Sequence, residues 1–111
     1  LRASHETLIE EALTRMTPEL PARAILTDLS LHDALASGLA NPITSEVYAV
    51  NRDRIAVVQN TRAFLPDRIV PAMQEHLEII EALERRDADA AVRAIWIHAR
   101  STLRWWGILE V

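Results

Sequence analysis

With 111 residues, half of them hydrophobic, the chain is long enough for one domain with a modest core and too short to divide into two. It has no cysteine, which excludes disulfides, thiolate nucleophiles and zinc-finger sites, so any metal must be held by imidazole and carboxylate. A formal charge of −4 argues against nucleic-acid binding by this chain itself.

Two glycines, five prolines, one Phe and one Tyr, against many Ala, Leu, Glu and Arg, favour helix over sheet. The first predicted helix runs from about Ser4 to Met16, with Leu8, Ile9, Ala12 and Met16 on one side. Thr17-Pro18 reads as an N-cap followed by proline at the first helical position, and a second helix continues, settled after Pro21, to about Leu39. Asn41-Pro42 repeats that signal and opens a third helix to about Asn60. A looser connection from Leu65-Pro66 to Val70-Pro71 leads to a fourth helix over about Ala72 to Arg86. Asp87 caps a fifth, which runs to Trp106 and ends at Gly107. Short connections between amphipathic helices predict an all-α antiparallel bundle of about five helices. No uncharged apolar run approaches the roughly 20 residues that cross a bilayer, so a soluble segment is expected. The start at Leu1, without an initiator Met, suggests a piece of a longer protein.

Residues four apart in a helix lie about 40° apart around its axis and share a face. Asp28 and His32 are such a pair, and they fall on the side of Ile25, Leu35, Ala36 and Leu39, opposite Arg23, Ser30 and Ser37. His76 sits among Ala72, Met73, Ile80 and Leu83. His98 shares its face with Ala91, Ala94, Ile95, Thr102 and Trp105. One inward histidine is more often a hydrogen-bonded core residue than a ligand. Three, with an inward aspartate, carry several separate burial costs that a single Zn²⁺, Ni²⁺ or Mn²⁺ would satisfy together. His5 also lies on an apolar side, near Leu8 and Ile9, but its terminal position reads as a partly exposed helix end.

On the third helix Ile43, Val47, Val50 and Val58 define the expected core face, and Asn51 and Arg54 fall on it, whereas Arg52 falls off it. An inward Arg54 near a metal suits a ligand carboxylate, which a guanidinium holds with two parallel hydrogen bonds. An intrachain ion pair is the equal alternative. Val92, Trp96 and Leu103 form a second apolar strip on the fifth helix, expected to be packing or a subunit contact.

Taken together, these residues resemble the C-terminal effector-binding (FCD) domain of GntR-type transcriptional regulators of the FadR subfamily. Asp28-Leu-Ser-Leu-His32, followed by Ala40-Asn41-Pro42, is similar to that family's Asp-x-x-Phe-His segment and Gly-Asn-Pro helix break. Glu75-His76, then Arg86-Asp87-Ala and finally His98, is similar to its Glu-His, Gly-Asp-Ala and terminal His. The resemblance implies that Asp28, His32, His76 and His98 ligate a metal. It further implies a cytoplasmic, homodimeric bacterial regulator that binds a small organic acid, with Arg54 and Asn51 as candidate effector contacts. DNA would be bound only through an N-terminal winged helix, which has no counterpart here. Residues 1–111 would then be the ligand-binding and dimerisation domain without its first helix. Leu31 stands where the family has Phe, and Leu1 to Met16 matches only as a generic amphipathic helix. Two other readings stay open: a metal-dependent hydrolase, for which no general base or His-Glu-x-x-His motif is evident, and an interaction module with a structural metal.

Overall fold

The computed structural model describes residues 1–15, 17–38, 41–61 and 66–105, with side chains throughout except at 55–61 and 66. Over these residues the chain forms five helices and no strand: α1 (Arg2–Thr14), α2 (Leu20–Ser37), α3 (Pro42–Thr61), α4 (Pro66–Glu84) and α5 (Ala88–Trp105). The all-α bundle expected from the sequence is what the chain adopts.

Local chemistry explains most of the boundaries. The Asn41 side chain accepts from the backbone N–H groups of Ile43 and Thr44 at 2.9 and 3.3 Å, capping α3. Asp87 caps α5 in the same way, accepting from the Ala90 N–H at 3.0 Å. Thr17 does not cap α2. It starts a turn in which the Leu20 N–H donates to its carbonyl, and the helix opens at Leu20 with Pro21 in its first turn. The largest departure is α4, which begins at Pro66 rather than near Ala72 and runs through Pro71. A proline there forfeits one backbone hydrogen bond. The turn before it is held by tertiary burial instead, because Ile69 is fully buried and Arg68 is buried and paired. Met16, Leu39, Leu65, Trp106 and Gly107, which entered the expected boundaries, lie outside the described residues.

Helix α4 is the centre of the bundle and packs against α1, α2 and α5. Leu8, Leu20, Ala24, Ile69, Ala72 and Met73 form one apolar cluster, and Leu31, Ile79 and Ile80 form a second. Along α2 the order is Leu20, Ala24, Asp28, Leu31; along α4 it is Met73, His76, Ile79. The polar residues of both helices therefore fall between the two clusters, where apolar packing above and below keeps water away.

Helix α3 is different. Among the described residues it packs only on α2, and its expected core face is open: Ile43, Val47 and Val50 are exposed, Ile43 at 73%. The face it turns toward α2 carries Tyr48 and Arg52, both bonded to Asp33 at 2.8 and 2.7 Å. The expected facing of α3 is thus corrected. Its apolar stripe has no cover among the described residues, and hydrogen bonding to Asp33 decides which side meets α2.

Candidate metal centre

Four residues from three helices converge. Asp28 and His32 come from adjacent turns of α2, His76 from the middle of α4 and His98 from α5. Each offers one ligand atom, and these atoms all lie within 4.8 Å of one another. The Asp28 Oδ1 is 3.1 Å from His76 Nε2 and 3.6 Å from His32 Nε2. His76 Nε2 and His98 Nε2 face each other at 3.1 Å. Asp28, His76 and His98 are buried, whereas the His32 side chain is 37% exposed and forms the open side of the cluster.

The hydrogen bonds behind the rings determine what the inner atoms present. His98 Nδ1 lies 2.7 Å from Glu75 Oε1. A carboxylate only accepts, so Nδ1 carries the proton and, in the neutral ring, Nε2 is a bare lone pair. Glu75 is itself held by a two-pronged ion pair from Arg68, with both contacts at 2.9 Å. Arg68 also donates to Thr102 Oγ1 at 3.1 Å and lies over the Trp105 ring. On the other side, His76 Nδ1 is 2.8 Å from His5 Nε2, and His5 Nδ1 is 2.8 Å from the Leu1 carbonyl oxygen.

The ionisation states follow from burial and neighbours. Burial pushes the His76 and His98 imidazoles below the ordinary histidine value, more than Asp28 and Glu75 pull them up. Burial alone would raise the Asp28 carboxyl, but His32 and His76 beside it outweigh that and hold it well below the usual carboxylate range. Glu75 likewise stays ionised against its burial, through Arg68 and His98. The centre is therefore a carboxylate facing two buried imidazoles, His76 and His98, that resist protonation. Without a cation the His32 and His76 rings can donate to the Asp28 carboxylate, and a cation among these atoms would take the place of those protons.

The structure thus brings Asp28, His32, His76 and His98 together. Arg54 and Asn51, the candidate effector contacts, are exposed on α3. The sequence reading missed three participants. His5, expected to be partly exposed, is fully buried. Glu75 entered only through the family's Glu-His pattern. Arg68 was assigned to a connection, although its spacing of seven residues from Glu75, two helical turns, puts both on one face of α4.

Comparison with known proteins now adds to this geometry. The FCD domain family model matches residues 1–101. The chain belongs to the FCD domain family. The resemblance to the effector-binding domain of GntR-type regulators is thereby borne out. Among curated relatives, the chain is 29% identical over 109 residues to the HTH-type transcriptional repressor NanR of Citrobacter rodentium, covering 92% of this chain and 41% of that protein. It is 28% identical to the repressor of the same name from Cronobacter sakazakii over 124 aligned positions, covering 99% and 46%, and 28% identical to that of Edwardsiella tarda over 107, covering 93% and 41%. The chain thus spans less than half the length of these relatives, which are named as transcriptional repressors rather than enzymes. No solved structure matches.

Proposed function

We propose that this FCD domain is the metal-dependent sensing module of a transcriptional regulator, binding a small organic acid that changes the DNA affinity of the whole protein. The observation that carries the reading is the inward convergence of the Asp28 carboxylate with the Nε2 atoms of His76 and His98. That donor set suits a divalent first-row cation such as Zn²⁺, Ni²⁺ or Mn²⁺. One carboxylate and three neutral imidazoles around such an ion leave a net charge of +1, and the Glu75 charge behind them is offset by Arg68. When bound, the metal supplies a positive centre at which an anionic oxygen of the effector is stabilised. The exposed edge at His32 is the side from which a carboxylate would approach. Arg54 and Asn51 enter this reading as groups on α3 that would have to reach the effector.

DNA contact would belong to a winged-helix portion of the whole protein. A second copy of this chain is the partner favoured by the apolar surface left open on α5, where Val92, Trp96 and Leu103 are 55, 66 and 42% exposed along one face. Sedimentation equilibrium is expected to give a dimer that Trp96→Asp dissociates; a monomer at all concentrations overturns that part.

Elemental analysis of the purified chain, followed by calorimetry with small carboxylates on metal-loaded and stripped protein, tests the sensor. Binding is expected only in the loaded state and is expected to weaken with Arg54→Ala. Binding indifferent to the metal sinks the sensor reading. Turnover of an ester or phosphate lost in His76→Ala would restore the hydrolase reading, and metal that holds the fold while no acid binds would leave the structural-metal one.

A further inference from the structure

We infer that His5 is a positioning residue of the metal centre: it fixes the proton of His76 on Nδ1 and so aims the Nε2 lone pair of His76 at the ion. The inference rests on the metal reading above and adds a residue outside the four ligands.

The argument runs inward from the start of α1. The Leu1 carbonyl oxygen can only accept, so the 2.8 Å contact to His5 Nδ1 requires a proton on that nitrogen. A neutral imidazole carries one proton, which leaves His5 Nε2 as an acceptor. His5 Nε2 lies 2.8 Å from His76 Nδ1, and an acceptor there requires His76 Nδ1 to be the donor. Asp28 Oδ1 and His98 Nε2 face His76 Nε2 at 3.1 Å each. In the metal-free centre an N–H on Nε2 would donate to the Asp28 carboxylate, whereas with a cation between these atoms the Nδ1 proton held by His5 leaves Nε2 as the bare ligand atom. With the ion in place, a carbonyl at one end of the relay thus decides which nitrogen of His76 is bare at the other. His5 and His76 are both fully buried, so water cannot substitute for either partner.

The same task is done differently at His98, whose Nδ1 donates to the Glu75 carboxylate at 2.7 Å. Two ligands from two helices are therefore backed by two devices, one ionic and one neutral. The rings of His5 and His76 are tilted by 49° at a centroid separation of 5.0 Å. That is an in-line hydrogen bond rather than stacking, so an apolar residue of similar size would keep the packing and lose the proton relay. Partners behind ligating histidines typically contribute about 10–100-fold in metal affinity.

The test compares His5→Leu with His5→Gln by zinc affinity in chelator competition, alongside ring ¹⁵N shifts of His76 in the unsubstituted chain. His5→Leu is expected to weaken zinc binding by about 10–100-fold, and His5→Gln, whose side-chain oxygen can accept from His76 Nδ1, to recover most of it. The ¹⁵N spectrum is expected to show His76 protonated at Nδ1 and bound through Nε2 in the zinc-loaded chain. Unchanged affinity in His5→Leu overturns the inference, and so does equal loss in both variants, which would mark a packing role. In the zinc-loaded chain, a His76 ring protonated at Nε2, or bound to zinc through Nδ1, overturns it even if His5→Leu fails to fold. Failure of the unsubstituted chain to bind zinc sinks the metal reading and this inference with it, whereas zinc binding left unchanged by His5→Leu sinks the inference alone.

Discussion

The bundle around α4 and the helix α3 were read with the same rule of helical facing, and the outcomes differ. On α2, α4 and α5 the rule put Asp28, His76 and His98 inside, and they are inside. On α3 it put Ile43, Val47 and Val50 inside, and they are exposed. An apolar stripe shows that a face is to be covered but not what covers it. Buried polar side chains carry more information, because each needs partners and the partners must be brought to it. Helix α3 meets this chain through Tyr48 and Arg52 on Asp33, a polar seam that the apolar pattern does not encode.

Metal is expected to separate the two regions most strongly. At zinc concentrations about 1,000 times the dissociation constant, linkage contributes about 4 kcal/mol to the stability of the folded chain, so zinc should raise the Tm of stripped protein by well over ~10 °C. Amide exchange should slow in α2, α4 and α5 and least in α3. Acid should oppose the effect. Because the folded-state values of His5, His76 and His98 are depressed, the unfolded chain takes up more protons as pH falls below the ordinary 6.5. Stability is thus fully present above that value and declines as pH drops toward the folded values, and zinc is lost over the same window. A further decline below the ordinary carboxylate range follows from the depressed Asp28 and Glu75. A thermal melt that is flat from pH 7.5 to 5, with and without zinc, would contradict this assignment of the centre.

How much of this was legible in the sequence depends on what each residue needs from elsewhere. The five helices were readable because caps and breakers act locally: Asn41 and Asp87 do in the fold what their residue types suggest. The four-residue centre was readable because its members carry burial costs on helices with clear faces. His5 was not, since its role depends on the pairing of α1 with α4, which no local pattern states. Arg68 was hidden by Pro71, whose local meaning, a helix boundary, is overridden by the burial of the preceding turn.

Two ion pairs sharpen the comparison at the next level of effect. The Arg68–Glu75 pair is buried, with side-chain exposures of 7 and 17%, whereas Arg52–Asp33 is at the surface, with 35 and 44%. Glu75→Ala leaves the Arg68 charge buried without its carboxylate and is expected to cost roughly 3 kcal/mol or more. It should also weaken zinc binding by loosening His98. Arg52→Ala, where solvent screens the charges, should shift the melting temperature by no more than about 4 °C. Chemical denaturation of both variants measures the gap, and equal losses would mean that α3 is as firmly built in as the bundle.

The smallest effects are expected at two turns, where the residues stand the wrong way round for their backbone. Between α4 and α5, Arg86 has a φ of 56°, the left-handed conformation that strains a residue with a Cβ. It closes α4 with the Arg86 N–H donating to Leu83 and the Asp87 N–H to Ala82, at 3.0 and 2.9 Å, the arrangement in which glycine is favoured. Arg86→Gly should therefore stabilise by about 0.5–1 kcal/mol, the strain relieved exceeding the added freedom of the unfolded chain. At the end of α2 the situation is reversed. Gly38 has a φ of −86° and ψ of −2°, which any L-residue adopts, and among the described residues a Cβ there would meet only the Leu35 carbonyl oxygen at 3.6 Å, an ordinary contact. Gly38→Ala should stabilise by about 0.4–1 kcal/mol by restricting the unfolded chain. The double variant is expected to melt a few degrees higher than the parent. A loss in Arg86→Gly would mean that the arginine side chain contributes more than its backbone costs. A loss in Gly38→Ala would mean that the added methyl meets more than the Leu35 carbonyl oxygen.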